Sequence, residues 1–172
     1  MARRPQPARS LAVQVLRQLE QREGFSNRHL DEALDGPRGQ ALERRDRALA
    51  TSLVYGVLRH RGRLDALIDA VARNPSRLRG RIREVLRVAT FELRELDRPP
   101  HVAISEAQAA TRALDRTGRL GRATQALLSE LVRRGAELDR VHEDGPPLEA
   151  LERRWSIPPW LARRWLESLG PA

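Results

Sequence analysis

Leu53-Val54-Tyr55-Gly56-Val57-Leu58-Arg59 places a glycine in the middle of an apolar run with helical spacing. A glycine inside a helix costs roughly 1 kcal/mol relative to alanine, so a helix that keeps one there usually needs its backbone close to a neighbour. Leu49, Leu53 and Val57 form one i, i+4 row with Ala50, Val54 and Leu58 beside it, an apolar arc wide enough for a central bundle helix. The pattern predicts a helical core with Gly56 at a close helix–helix crossing.

Helical spacing continues along the chain. Leu11, Ala12, Val15, Leu16 and Leu19 predict a first helix that stops near Gly24, and Ser26 reads as the N-cap of a short second one ended by Asp35-Gly36-Pro37. A third helix is expected from about Leu42 to Leu58. A turn near His60-Arg61-Gly62 then leads to a fourth, with Leu64, Leu67, Ile68 and Val71, which Asn74-Pro75 breaks. Ile82, Val85, Leu86, Ala89, Leu93 and Leu96 give a fifth, ending before Pro99-Pro100 because the residue ahead of a proline avoids the α region. A sixth begins near His101, and a seventh, after Thr117-Gly118, carries Ala123, Leu127, Leu128, Leu131, Val132 and Leu138. No segment alternates with period two, so the expected class is all-α, a bundle of about seven helices over residues 8–141.

Asp144-Gly145-Pro146-Pro147 reads as a linker to a short helical tail over residues 148–170. All three Trp residues lie in that tail, against an aromatic content of 3% for the whole chain, which leaves the tail a large apolar surface to cover. Docking on the bundle and contact with a partner domain are both open.

With 172 residues and 40% hydrophobic content the chain can bury a core despite 32% charged residues. Cysteine is absent, which removes disulfides, thiolate metal sites and thiol nucleophiles. Residues 1–10 hold no apolar stretch of the kind a secretory signal needs, and no segment is long and apolar enough to span a bilayer, so a cytoplasmic location is expected. His29, His60, His101 and His142 are too far apart for a helical metal pair, and no carboxylate spacing marks an acid/base couple. No catalytic apparatus is visible.

Every basic residue is Arg, and the formal charge is +9. A GC-rich genome explains the choice of Arg over Lys but not the net excess. Arg73, Arg77, Arg79, Arg81 and Arg83 follow one another without an intervening acid, a field that suits phosphates, although a solvated charged face fits the same run.

Four segments together resemble one family: Arg45 to Leu49 followed by Leu53 to Arg59; Arg81 to Leu93; Arg98-Pro99-Pro100-His101-Val102-Ala103-Ile104-Ser105-Glu106-Ala107; and Ala126 to Arg133. In that order they look like the NusB-like helical domain, closest to its version at the N-terminus of the RsmB (Sun/Fmu) 16S rRNA cytosine-5 methyltransferases. Trp155-Ser156-Ile157-Pro158-Pro159-Trp160 through Trp165 looks like the segment that joins that domain to a catalytic one. Where the family pattern carries an Asn in the late helix, Ser129-Glu130 stands here.

The resemblance implies an rRNA-recognition domain without chemistry of its own. S-adenosylmethionine would be required only by a catalytic domain following it, so no cofactor is expected in this chain, and whether it is part of a longer enzyme or acts alone is open. A NusB-type antitermination factor, binding RNA with a ribosomal protein, and a helical protein-interaction module are the alternatives. Similarity to where such domains meet RNA implicates Arg3, Arg4 and Arg9 at the first helix and Arg119 with Arg122 at the seventh; charge density adds Arg77, Arg79, Arg81 and Arg83. The low aromatic content predicts that phosphate contacts outweigh base stacking.

Overall fold

A computed structural model of the chain describes residues 7–21, 26–112, 114–115, 117–140 and 146–169. Among them there is no strand, and the seven expected helices are α1 (Pro7–Gln21), α2 (Ser26–Asp35), α4 (Arg44–Arg59), α5 (Arg61–Val71), α6 (Arg81–Arg94), α7 (Pro100–Arg112) and α8 (Arg119–Arg133). Two short helices join them, α3 (Pro37–Gln40) and α9 (Gly135–Arg140), the second split from α8 where one continuous helix to Leu138 was expected. The tail forms α10 (Pro147–Trp155) and α11 (Pro159–Leu169). Proline opens α1, α3, α7, α10 and α11, where its missing N–H is not needed and its φ is already helical. The expected stop near Gly24, and His142, lie outside the described residues.

The centre of the bundle is α6 rather than α4. Every residue from Arg83 to Glu92 is buried, polar ones included, whereas α4 buries Ala50, Leu53, Val54 and Val57 and leaves Tyr55 exposed. Packed on α6 are α1, α4, α5, α7 and α8. One core joins Val15 and Leu16 of α1, Leu53, Val54 and Val57 of α4, Leu64 and Ile68 of α5, Leu86 and Ala89 of α6, and Leu128 of α8.

Gly56 stands at the α4–α6 crossing, as the apolar run predicts, but what approaches it is a side chain. A Cβ at position 56 would collide with the Cζ edge of the Phe91 ring. The break between α4 and α5 is narrower than the sequence suggested. His60 alone leaves helical geometry (φ −104°, ψ 15°), and its ring packs against Phe91 with centroids 5.8 Å apart. Gly62 therefore lies inside α5, where it meets the tail. An added Cβ there would be 2.7 Å from the Glu152 carbonyl oxygen of α10. Next to this contact the Arg63 N–H donates to Ser156 Oγ at 3.1 Å.

Candidate nucleic-acid interface

Two helices with matched charges account for much of the buried polarity. Asp65 and Asp69 are one turn apart on α5, and Arg83 and Arg87 are one turn apart on α6. Arg83 donates from Nε to Asp65 Oδ1 at 2.8 Å and from Nη1 to Asp69 Oδ1 at 2.6 Å. Arg87 donates to both oxygens of Asp65 at 2.8 Å, to Glu20 of α1 at 2.8 Å and to Glu84 at 2.5 Å. Burial pulls the Arg83 and Arg87 guanidiniums down, but the hydrogen bonds and charges of these carboxylates outweigh it and hold both above their ordinary value. Arg83, expected to contact RNA, is thus committed to the interior.

Arg9 is corrected for the same reason. It is 7% exposed, and its Nε and Nη2 donate to Glu92 at 2.9 and 2.6 Å. A guanidinium held by two hydrogen bonds to a buried carboxylate is a structural group rather than a surface one. Arg3 and Arg4 lie outside the described residues.

The remaining cations behave differently. Arg73, Arg77, Arg79 and Arg81 are exposed and make no hydrogen bond or ion pair among the described residues. The connection that carries them is not continuous helix: Ala72, with ψ 129°, ends α5 in extended backbone, Pro75–Arg77 forms a single 3-10 turn, and Gly80 then leads into α6. This segment faces α8 across a groove of about 790 Å³. Val71, Ala72 and Leu78 line one wall, Ala123, Ala126 and Leu127 the other, with Arg73, Asn74 and Arg77 on the first side and Glu130 on the second. Both oxygens of Glu130 accept from Arg133, at 2.9 and 2.5 Å, so its charge is offset.

Exposed Arg119 and Arg122 begin α8. The Asp115 carboxylate fixes that start by accepting from the Leu120 N–H at 2.8 Å and from the Thr117 hydroxyl and N–H at 2.7 and 2.9 Å. These hydrogen bonds bring its pKa down to about 2. Arg119 precedes Ala123 by four residues and Ala126 by seven, so it continues the stripe of α8 that walls the groove. Of the expected Arg residues, Arg77 lines the groove, Arg79, Arg81, Arg119 and Arg122 are exposed outside its lining, and Arg9 and Arg83 are buried. Sequence reasoning passed over Arg73 as a contact and read Asn74 only as a helix breaker. The matched Asp65/Asp69 and Arg83/Arg87 spacings were the signal that Arg83 belongs inside.

No group of His, Asp or Glu suited to holding a metal ion occurs among the described residues, and no described helix is long and apolar enough to cross a membrane. The tail carries the largest exposed rings: Trp155, Trp160 and Trp165 are 62%, 66% and 46% exposed. The Arg154 guanidinium lies 5.3 Å over Trp155. The tail helix α10 packs on α5 while the indoles face outward, so docking covers the helix and not its aromatic surface.

Residues 6–133 match the NusB family. The chain is 34% identical over 158 residues to the ribosomal RNA small subunit methyltransferase B of Thermus thermophilus, an alignment covering 91% of this chain and 34% of the relative. It is 26% identical over 163 residues to a probable ribosomal RNA small subunit methyltransferase B of Bacillus subtilis, covering 94% and 35%. A transcription antitermination protein NusB of Anaeromyxobacter dehalogenans is 38% identical over 111 residues, covering 62% of this chain and 75% of that protein. The chain spans about a third of the length of the methyltransferases it matches.

Proposed function

Because the chain belongs to the NusB family, we propose that it binds RNA through the Arg73–Arg81 segment and the start of α8, as the rRNA-recognition part of a 16S rRNA cytosine-5 methyltransferase. The observation that carries this reading is the division among the arginines. Those that the core needs are paired with carboxylates, while Arg73, Arg77, Arg79 and Arg81 stand exposed and unpaired among the described residues, and Arg119 and Arg122 are exposed at the start of α8. Unneutralised guanidiniums clustered on one side attract a polyanion and release its counterions on binding.

The methyltransferase assignment rests on reach. Alignments with those relatives cover over nine-tenths of this chain and so extend into the tail, whereas the NusB alignment covers 62%. In this role the domain supplies affinity and placement, and methyl transfer from S-adenosylmethionine belongs to a separate catalytic domain. Titrating a 16S rRNA fragment at several salt concentrations tests the RNA reading. Replacing Arg79 and Arg81 with Ala should reduce the log–log salt slope by about 0.7 for each phosphate left unneutralised, with melting temperature unchanged. Salt-insensitive binding, or a double variant that binds like the parent, would overturn it.

A further inference from the structure

Every tryptophan of the chain lies in α10 or α11, and the docking of α10 on α5 leaves their rings in solvent. Trp155 ends α10, Trp160 follows the turn into α11, and Trp165 lies further along that helix. No Leu, Ile or Ala of the described tail is exposed beside them. A surface made to dock on protein is a contiguous apolar patch, whereas these rings stand among arginines and prolines. The acids of the tail are turned away or offset: Glu149 accepts from Arg153 at 3.3 Å, and Glu152 lies against Gly62 of α5. Arg163 and Arg164, between the two rings of α11, are exposed, and their guanidiniums make no hydrogen bond or ion pair among the described residues; Glu167 is the exposed acid of that helix. The Arg154 guanidinium lies 5.3 Å over Trp155, a cation–π contact on an indole that is still mostly uncovered.

From this arrangement we infer that α10 and α11 form a base-stacking surface, separate from the cationic segment and groove of the bundle and different in kind. The indole faces take bases, and Arg154, Arg163 and Arg164 take the phosphates between them. The inference rests on the RNA-binding reading and adds to it a second contact, outside the residues 6–133 that match the NusB family. An aromatic content of 3% predicted that stacking would be minor, but that figure averages the tail with a bundle that holds no Trp. The ligand has to present unpaired bases, because within a duplex both faces of each base are covered. A polyanion without bases would meet the arginines alone and leave the rings in water.

With no Trp in the bundle, tryptophan emission reports on the tail alone. Poly(U), a fully paired RNA duplex of the same length and inorganic polyphosphate are titrated into the chain at matched phosphate concentration. Poly(U) should quench the emission, and the duplex and polyphosphate, which offer no free base face, should leave it unchanged. Trp160→Ala with Trp165→Ala removes two exposed rings and keeps every cation, so the fold should stay intact, which a melting curve verifies. That variant should lose about tenfold in affinity for poly(U) with an unchanged salt slope, and bind polyphosphate like the parent. Emission unmoved by poly(U), equal quenching by polyphosphate, or a double variant that binds poly(U) like the parent overturns the stacking surface. The RNA reading is judged separately and survives any of these results, provided Arg79→Ala with Arg81→Ala still lowers the salt slope. A blue shift on adding the part of the Thermus thermophilus relative that lies outside the alignment, with poly(U) silent, would assign the rings to a protein contact and the inference would be wrong.

Discussion

The ring of Phe91 occupies the space that a Cβ on Gly56 would need, so the α4–α6 crossing is set by the fit of one aromatic edge against one bare backbone. Leu at position 56 would have to displace that ring, which is 5% exposed and backed by His60. Gly56→Leu should therefore destabilise the fold by about 1–3 kcal/mol in urea denaturation, despite its better helix propensity. Coupling is the sharper test. Combined with Phe91→Leu, which vacates the space, the glycine substitution should cost clearly less than it does alone. Strict additivity would show that the two residues do not constrain each other.

Arg81 and Arg83 are two residues apart in one cationic run, yet the fold assigns them opposite roles. Arg83→Ala leaves Asp69 without its guanidinium and Asp65 with Arg87 alone, and should cost about 2–3 kcal/mol of stability. Arg81→Ala should change stability by less than about 0.5 kcal/mol and act on RNA affinity instead. Chemical denaturation and RNA titration of the two single variants separate these effects. Equal stability losses would mean that the run is uniform after all.

The contrast also marks how far the sequence can be read. The all-α class and the extents of most helices were legible because an apolar stripe is a local pattern, repeated on each of seven segments. Arg9 and Arg83 were misread because their partners, Glu92, Asp65 and Asp69, are brought to them by packing. A run without nearby acids in sequence says nothing about acids on the helix alongside. The central role of α6 was hidden for the same reason: its buried Arg83, Glu84, Arg87 and Glu92 make a helix enclosed on all sides look amphipathic. Arg77 and Ala123 gave no local sign of sharing a groove, since more than forty residues separate them and only the return of α8 alongside the end of α5 unites them.

Glu84 gives the core a pH dependence. Burial pushes its carboxyl up; the charge of Arg87 opposes this, and a hydrogen bond shared with Glu20 and the charge of Glu20 add to it, giving a pKa of about 7. Glu20 moves the other way: burial raises it, but hydrogen bonds from Arg87 and Glu84 leave it below the usual carboxylate range. Between the ordinary value of 4.5 and about 7 the folded chain keeps a proton on Glu84 that the unfolded chain releases, so stability falls as pH rises through that window. The Glu20 contribution is lost only at lower pH, as acid reaches its depressed pKa. Urea denaturation should show the parent less stable at about pH 8 than at about pH 5 by about 1–3 kcal/mol, and Glu84→Gln, which keeps a donor for Glu20, should remove most of the difference. An equal slope in the variant would assign the effect to other groups.

Gly62 tests what holds the tail. Its bare Cα lets the Glu152 carbonyl of α10 and Ser156, which caps that helix, come close, and the Arg63 N–H then reaches Ser156 Oγ. A side chain at position 62 meets backbone, which cannot swing aside as a flexible side chain can. Gly62→Leu should push α10 off α5 and break the Arg63–Ser156 hydrogen bond, and hydrogen exchange at α10 amides should speed up while the core amides of α6 keep their protection. Trp emission should stay almost unchanged, because Trp155, Trp160 and Trp165 are already 62%, 66% and 46% exposed with α10 in place. Faster exchange together with constant emission would show that α10 is held by close backbone packing and not by its aromatic rings. A blue or red shift accompanying the loss of protection would instead mean that the indoles bear on the bundle, and that the tail is held by their burial.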